Sequence, residues 1–106
     1  MSRWAVPADW PQPSTRPLRR AGTSAVELDD NLALYDDVGQ LLIVLKRTAA
    51  AVWDLCDGSA SVDDMARWLS KAHDAEPEVV GEDVRQTVRK LAELGLVEDA
   101  AGVHPT

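Results

Sequence analysis

The sequence predicts an α+β fold in which a three-stranded antiparallel β-meander precedes three helices. Between residues 25 and 45, short apolar runs rich in Val, Ile, Leu and Tyr alternate with turn segments that contain Asp, Asn and Gly. From Thr48 to Leu94 the apolar residues instead recur at helical spacing. The run from Leu41 to Leu45 marks the change and, with five residues, is too short to cross a membrane. A chain of 106 residues in this order is expected to form one folded domain.

The three predicted strands have the sequences AVEL (25–28), LALYD (32–36) and QLLIVL (40–45). The segments between them, Asp29-Asp30-Asn31 and Asp36-Asp37-Val38-Gly39, have typical turn composition. Chain order places the third strand at the edge of the sheet, where its backbone groups need a further partner or some protection. We therefore expect another element or another molecule to pair with this strand.

The first two helices have recognisable ends. Thr48 is the predicted N-cap of the first helix, which runs to about Cys56 and stops before Gly58. Ser61 opens the second helix, with Asp64 as the acidic half of a capping box. The apolar positions of the second helix keep helical spacing and are predicted core residues: Val62, Met65, Ala66, Leu69 and Ala72.

The third helix is predicted to begin at Pro77, a residue suited to a first helical turn, and to end near Leu94, before Gly95. Its apolar residues recur at steps of four, four and three and form one stripe: Val80, Val84, Val88 and Leu91. Three cations lie beside that stripe: Arg85, Arg89 and Lys90.

The two ends of the chain are expected to lie outside this domain, which would span residues 25–97. Residues 1–24 contain four prolines and two tryptophans without apolar periodicity, which predicts an irregular N-terminal arm. Two interpretations of Trp4 and Trp10 stay open, because the rings could fold back onto the domain's own core or contact a partner protein. The arm's basic cluster is typical of a solvated linker: Arg16, Arg19 and Arg20. Residues 98–106 are small and polar, which predicts a C-terminal tail.

Composition argues against several classes of function. The net charge is −7, and residues 32–106 hold seven cations against fourteen acids, so nucleic acid is not an expected partner. The single cysteine, Cys56, permits neither an intramolecular disulfide nor a thiolate metal cluster, which fits a reducing cytoplasm. Neither a membrane-length apolar run nor a secretory signal is apparent, so a cytoplasmic protein without a membrane partner is expected.

The sequence shows no convergent set of catalytic groups. Cys56 lies in an apolar helical pattern, where buried thiols are usually unreactive. His73 and His104 have no second metal-type ligand at helical spacing except acids in a solvated loop, and no glycine-rich phosphate loop is present. The paired acids of the chain lie at turns or helix starts, where negative charge is favourable. A binding module is therefore expected, without catalytic residues, metal or cofactor.

Several short motifs between residues 25 and 97 occur in a characteristic order and spacing. They are Asp36-Asp37-Val38-Gly39, Thr48-Ala49, Val52-Trp53, Leu55-Cys56-Asp57-Gly58, Ser61-Val62, Asp64-Met65-Ala66, Asp83-Val84 and Gly95-Leu96-Val97. Together they resemble the PqqD-like family, the peptide-binding domains called RiPP recognition elements. Lys46 departs from the pattern, because the family commonly carries asparagine there. The resemblance implies a winged-helix-turn-helix-like arrangement and no catalysis.

The resemblance also implies a mode of binding. The leader segment of a ribosomally made precursor peptide would add as an antiparallel strand to the third strand, in a groove against the third helix. The domain would then present the precursor to a radical-SAM enzyme, a leader peptidase or a cyclase. The expected peptide-binding residues are Gln40, Leu41, Leu42, Ile43, Val44, Leu45, Val84, Arg85, Val88, Arg89 and Leu91. A charged residue at Val88 or Ile43 is expected to weaken binding without unfolding the domain, and the face of the third strand that lines the groove stays open.

Other interpretations remain at this stage. The three cations beside the apolar stripe could pair with acidic leader residues or simply form a solvated helix face. A winged-helix DNA-binding regulator would have a similar order of elements, although the acids at the start of the third helix have the wrong sign for phosphates. A scaffold subunit could hold an enzyme through its tryptophan-bearing arm without binding a peptide. Homodimerisation through the third strand would also satisfy the exposed edge.

Overall fold

Five strands and three helices are present in residues 6–101, the part of the chain that the computed structural model describes. In chain order they are β1 (Pro17–Arg19), β2 (Ser24–Leu28), β3 (Asn31–Tyr35), β4 (Leu41–Leu45), α1 (Arg47–Leu55), α2 (Val62–His73), α3 (Pro77–Glu93) and β5 (Val97–Asp99). The sheet β2-β3-β4 is an antiparallel meander, and β1 pairs antiparallel with β5 in a separate ladder. The predicted α+β fold, with a meander followed by three helices, is confirmed.

The register of the meander defines which side chains face the core. Leu32 lies opposite Leu45, and Leu34 lies opposite Ile43, so these four side chains share the inner face of the sheet. Leu32, Leu34 and Leu45 are buried, and Ile43 packs against the same core from a half-buried position. Ile43 and Leu45 therefore point towards the helices, whereas the face of the strand that receives a peptide stays a prediction.

The helix ends match the predictions in part. In α2 the predicted capping box is present, since the Ser61 hydroxyl accepts from the Asp64 N–H at 3.0 Å and the Asp64 carboxylate accepts from the Ser61 N–H at 3.1 Å. The predicted Thr48 N-cap of α1 is wrong. Extended Lys46 occupies that position without a side-chain cap, and its carbonyl accepts from the Ala50 N–H at 2.7 Å. The helix therefore begins immediately after β4.

One hydrophobic core lies between the inner sheet face and the helices. The predicted stripe of α3 is confirmed, because its four members are all buried: Val80, Val84, Val88 and Leu91. Four predicted core residues of α2 are buried as well: Val62, Met65, Ala66 and Leu69. Ala72 is exposed, since it lies in the last turn of α2, beyond the edge of the packed surface.

The N-terminal arm contributes to the folded structure. Residues 17–19 form β1, and the carbonyls of Pro13 and Thr15 accept from the first N–H groups of α2 at 2.9 Å. The prediction of an irregular arm is therefore wrong for residues 17–19, and that of a polar tail is wrong for residues 98–99, which belong to β5. Three-residue strands show no periodicity in sequence, and only their mutual pairing reveals them. The division of the chain into arm, domain and tail otherwise stays a prediction.

Two residues of the arm have defined roles. Trp10 is buried in the core with 7% of its surface exposed, so the interpretation that the ring folds back is confirmed for it; Trp4 lies outside the described residues. Arg19 does not belong to a solvated linker. Its guanidinium donates to the carbonyls of Trp53 at 2.8 Å and Asp54 at 3.0 Å and lies 5.8 Å from the centre of the Trp53 ring. Arg19 thus stabilises the C-terminal end of α1, where a cation is favourable.

Candidate functional site

β4 is an edge strand with an apolar surface. Among the described residues it pairs with β3 on one side and with no strand on the other. Leu41 and Val44 are exposed by 55% and 45%, and Leu42 and Ile43 are half-buried. Because alternate backbone N–H and C=O groups of such a strand point away from its partner, they can pair with an added strand. The predicted free edge is confirmed.

A groove of about 440 Å³ runs beside this edge, between β4 and α3. Ile43, Val44 and Lys46 form one wall, and Leu45, Ala49 and Leu91 form the floor. The other wall is one face of α3, formed by Gln86, Thr87 and Lys90. A second recess of about 350 Å³ adjoins the groove at the start of α1 and shares Lys46, Ala49, Gln86 and Thr87 with it. The edge strand and the groove together form an open, mostly apolar channel.

The structure brings only part of the predicted site together. Ile43, Val44, Leu45 and Leu91 line the groove, and Leu41 and Leu42 continue the edge of β4, with Gln40 in the turn before it. Val84 and Val88 do not line it, and both are completely buried in the core. Arg85 and Arg89 do not line it either, and they are engaged elsewhere.

The groove lies on the opposite flank of α3 from the one that the sequence suggested. At 100° per residue, Thr87 and Lys90 flank the apolar stripe on one side, whereas Arg85 and Arg89 flank it on the other. The stripe identifies the face that packs on the core but does not say which flank turns towards β4. Sequence reasoning therefore missed Thr87 and Gln86, and the available signal was only their position beside the stripe.

Arg89 holds the N-terminal arm. One guanidinium nitrogen, Nη1, donates to the carbonyls of Pro7 at 2.6 Å and Trp10 at 2.7 Å, and Nη2 donates to that of Val6 at 3.4 Å. Its Nε lies 3.8 Å from a carboxylate oxygen of Glu93. Hydrogen bonds from a charged donor are among the stronger ones in a protein. Arg89 thus has a structural role on the flank opposite the groove.

Arg85 forms a two-point pair with Glu82 on the same flank. Its Nε donates to Oε2 at 3.0 Å and its Nη2 to Oε1 at 2.7 Å. The hydrogen bonds from Arg85, together with one from Gln86, lower the pKa of Glu82 to about 2. Both side chains are largely in solvent, so the pair orients them without contributing much to stability.

The groove itself carries positive charge in an otherwise acidic chain. Lys46 and Lys90 line it, and no carboxylate does; Asp83 lines only the adjoining recess, together with Arg47. Within residues 6–101, neither lysine has a carboxylate within ion-pairing distance, whereas Arg47 lies 3.5 Å from Asp30. The two ammonium groups are therefore available to a ligand in the groove.

Cys56 is a packing residue. It is completely buried, and its thiol donates to the Val52 carbonyl at 3.1 Å. Burial raises the pKa of the Cys56 thiol to about 12, against a smaller opposite effect of Arg19. Since the thiolate is the reactive form, we expect no reaction of the native protein with Ellman's reagent at neutral pH and full reaction in urea. Rapid labelling of the native protein would contradict this assignment.

The described residues offer no arrangement for metal binding. Among residues 6–101, no group of three or more His, Cys, Asp or Glu side chains is placed to hold an ion. His73 is exposed in the last turn of α2, and His104 lies outside the described residues. A helix with the length and apolar character needed to cross a membrane is likewise absent from the described part of the chain.

Two solved structures share this fold. TbiB1 in complex with the TbiA(beta) leader peptide has a TM-score of 0.66 and 18% identity, over 83% of this chain and 99% of that one. Lasso peptide synthetase B1 complexed with the leader peptide also has a TM-score of 0.66, with 24% identity over 78% of this chain and 98% of that one. No curated protein matches the chain at a significant level.

The sequence itself places the chain in a family. The family model described as coenzyme PQQ synthesis protein D (PqqD) matches residues 32–97, from β3 to the first residue of β5. The match covers more than half of the 106 residues and includes β4, the three helices and the groove between them. The resemblance recognised in the sequence motifs is confirmed, and the chain belongs to the PqqD family.

Proposed function

We propose that this domain binds the leader segment of a ribosomally synthesised precursor peptide and presents the precursor to a modifying or processing enzyme. The leader adds to β4 as an antiparallel strand, and alternate leader side chains enter the groove against α3. The observation that carries this proposal is the exposed apolar edge of β4 with a groove directly beside it. The two solved structures with this fold are themselves complexes with leader peptides, which supports it.

In this proposal the domain performs no chemistry on the peptide. Its partner in the cytoplasm is a radical-SAM enzyme, a leader peptidase or a cyclase, and the domain supplies recognition to that enzyme. The family membership supports a recognition role. The buried, protonated thiol of Cys56 is consistent with it, because the only cysteine of the chain is not available as a nucleophile.

Side-chain burial must contribute most of the affinity. Micromolar to nanomolar binding corresponds to about −8 to −12 kcal/mol. The hydrogen bonds of a short added strand contribute only about 1 kcal/mol each, and ordering the peptide offsets part of that. Leader side chains would be removed from water, and would cover apolar surface of the domain, where Ile43, Val44 and Ala49 line the groove, because these three are at least partly exposed.

Filling the groove is expected to abolish most of this binding. Thr87 is half-buried and lines both recesses, so the indole of Thr87→Trp would occupy the groove without replacing a core residue. We expect the affinity for a fluorescein-labelled leader peptide to fall about tenfold or more, which is about 1.4 kcal/mol. Fluorescence polarisation measures the affinity, and circular dichroism checks that the variant is folded.

The matched control is Val79→Trp. Val79 lies on the same helix, about 12 Å from Thr87 along its axis, is 60% exposed and does not line the groove. Wild-type affinity in a folded Thr87→Trp variant would contradict the proposed site.

Hydrogen exchange adds a backbone readout, because an added strand slows the exchange of β4 amides. If that protection appears without peptide and rises with protein concentration, the edge pairs with a second copy instead.

A further inference from the structure

The two lysines of the groove differ from most other cations of the described chain. Arg47, Arg67, Arg85 and Arg89 each lie near a carboxylate, and Arg19 donates to backbone carbonyls. Lys46 and Lys90 have no such partner within residues 6–101, although the chain carries 18 acids against 11 cations. Two unpaired ammonium groups therefore border one apolar channel in a chain that has a large excess of carboxylates.

The positions of the two lysines along the channel follow from which recess each of them lines. Lys46 lines both the groove and the recess at the start of α1, whereas Lys90 lines only the groove beside β4. Between them lies the apolar floor that Leu45, Ala49 and Leu91 form. In an antiparallel strand added to β4, the N-terminal residues would therefore lie beside Lys46 and the middle residues over this floor. The C-terminal residues would lie beside Lys90.

We propose that the groove selects leader segments in which carboxylate side chains flank the apolar residue that lies on its floor. This inference rests on the proposed function and names the chemistry of its ligand. The carboxylate on the N-terminal side pairs with Lys46, and that on the C-terminal side pairs with Lys90. Basic residues at the same positions are disfavoured, because they would meet the ammonium groups at close range.

The charge of the whole domain makes this preference informative. With a net charge of −7, the chain attracts basic peptides at long range and repels acidic ones. A preference for acidic residues must therefore arise locally, from the lysines in the groove. Pairs that are partly shielded by a bound peptide are screened less by salt than charges in open solvent. The local preference should consequently remain at physiological ionic strength.

The test uses three fluorescein-labelled peptides that share one alternating apolar strand sequence and carry Glu, Gln or Lys on either side of its central apolar residue. We expect the wild-type protein to bind the Glu peptide about five- to thirtyfold more tightly than the Lys peptide at physiological salt, with the Gln peptide between them. In the double variant Lys46→Glu/Lys90→Glu the order should reverse. Lys71→Glu, which changes an exposed lysine on α2 outside the groove, should keep the wild-type order.

The outcomes separate this inference from the function on which it rests. If the wild-type protein binds the three peptides equally and Thr87→Trp binds none of them, the charge preference is overturned and strand addition stands. The charge preference is also overturned if Lys71→Glu changes the order of affinities as much as the double variant does. The selectivity would then come from the net charge of the protein. A third outcome is that no peptide binds, or that Thr87→Trp leaves the binding unchanged. Strand addition in the groove would then be contradicted, and the charge preference with it.

Discussion

Replacing Trp10 by alanine is expected to lower the free energy of unfolding by about 3–5 kcal/mol, a large part of the stability of a small domain. The ring is 7% exposed within the core, and its indole Nε1 donates to a carboxylate oxygen of Asp99 in β5 at 3.3 Å. The Trp10 carbonyl also accepts from Arg89. Truncation at Cβ would open a cavity in the core and remove the hydrogen bond to Asp99, whereas the main-chain carbonyl that Arg89 holds would remain.

Urea unfolding followed by far-ultraviolet circular dichroism measures this loss, and Trp68→Ala is its matched control. Trp68 is 49% exposed on α2, so the same truncation there should change stability far less. Equal stabilities of the two variants would show that Trp10 is not part of the core. A chain that lacks residues 1–24 should lose at least as much stability as Trp10→Ala, because it also loses β1.

The substitution Val88→Asp is expected to prevent folding. The Val88 side chain is completely buried in α3, and a carboxylate there would be desolvated without a cation or hydrogen-bond donor to compensate it. An uncompensated buried charge costs about 3–5 kcal/mol or more, and the lost valine packing adds to that. The sum is comparable to the whole stability of a small domain.

Gln86→Asp is the control for this variant. Gln86 is exposed two residues away on the same helix, where an added carboxylate stays in water. Two-dimensional NMR of the labelled protein should show a dispersed spectrum for Gln86→Asp and a collapsed one for Val88→Asp. A dispersed, wild-type-like spectrum of Val88→Asp would contradict the burial. The complete burial of Val88 argues against the expectation that a charge there weakens peptide binding in a folded domain, and both that expectation and the corresponding one for half-buried Ile43 stay predictions.

Local sequence features predicted most of the regular structure because each acts over a few residues. The Asp- and Gly-containing turns defined the meander, the Ser61 capping box defined the start of α2, and the four-residue steps from Val80 defined the buried face of α3. The free edge of β4 followed from chain order alone. These features depend little on the rest of the molecule, so the sequence carries them directly.

The remaining features depend on contacts between distant parts of the chain. β1 pairs with β5 and forms a bridge to Asp57, and contacts with Arg89 and Asp99 help to hold Trp10 against the core. The flank of α3 that lines the groove depends on how the helix lies on the sheet, which its periodicity does not specify. Of the α3 residues that the sequence suggested, Leu91 therefore lines the groove, whereas Val84, Arg85, Val88 and Arg89 do not.

The alternatives raised by the sequence receive no support from the described residues. The first turns of α3 expose Glu78, Glu82 and Asp83, which would meet nucleic-acid phosphates with the wrong sign. A scaffold that holds an enzyme through the rings of the arm would need them at the surface, and Trp10 is buried. Association of two copies through β4 stays a prediction that the hydrogen-exchange experiment tests.

The pairing of β1 with β5 has a consequence for how such a domain can be joined to an enzyme. It places Pro17 opposite Asp99, and the Ala100 N–H donates to the Arg16 carbonyl at 2.8 Å, so the chain leaves β5 beside the arm. No residue of either strand lines the groove. A covalent tether that follows β5 would therefore start away from the groove and leave it open, and the length of that tether would set the local concentration of groove and catalyst.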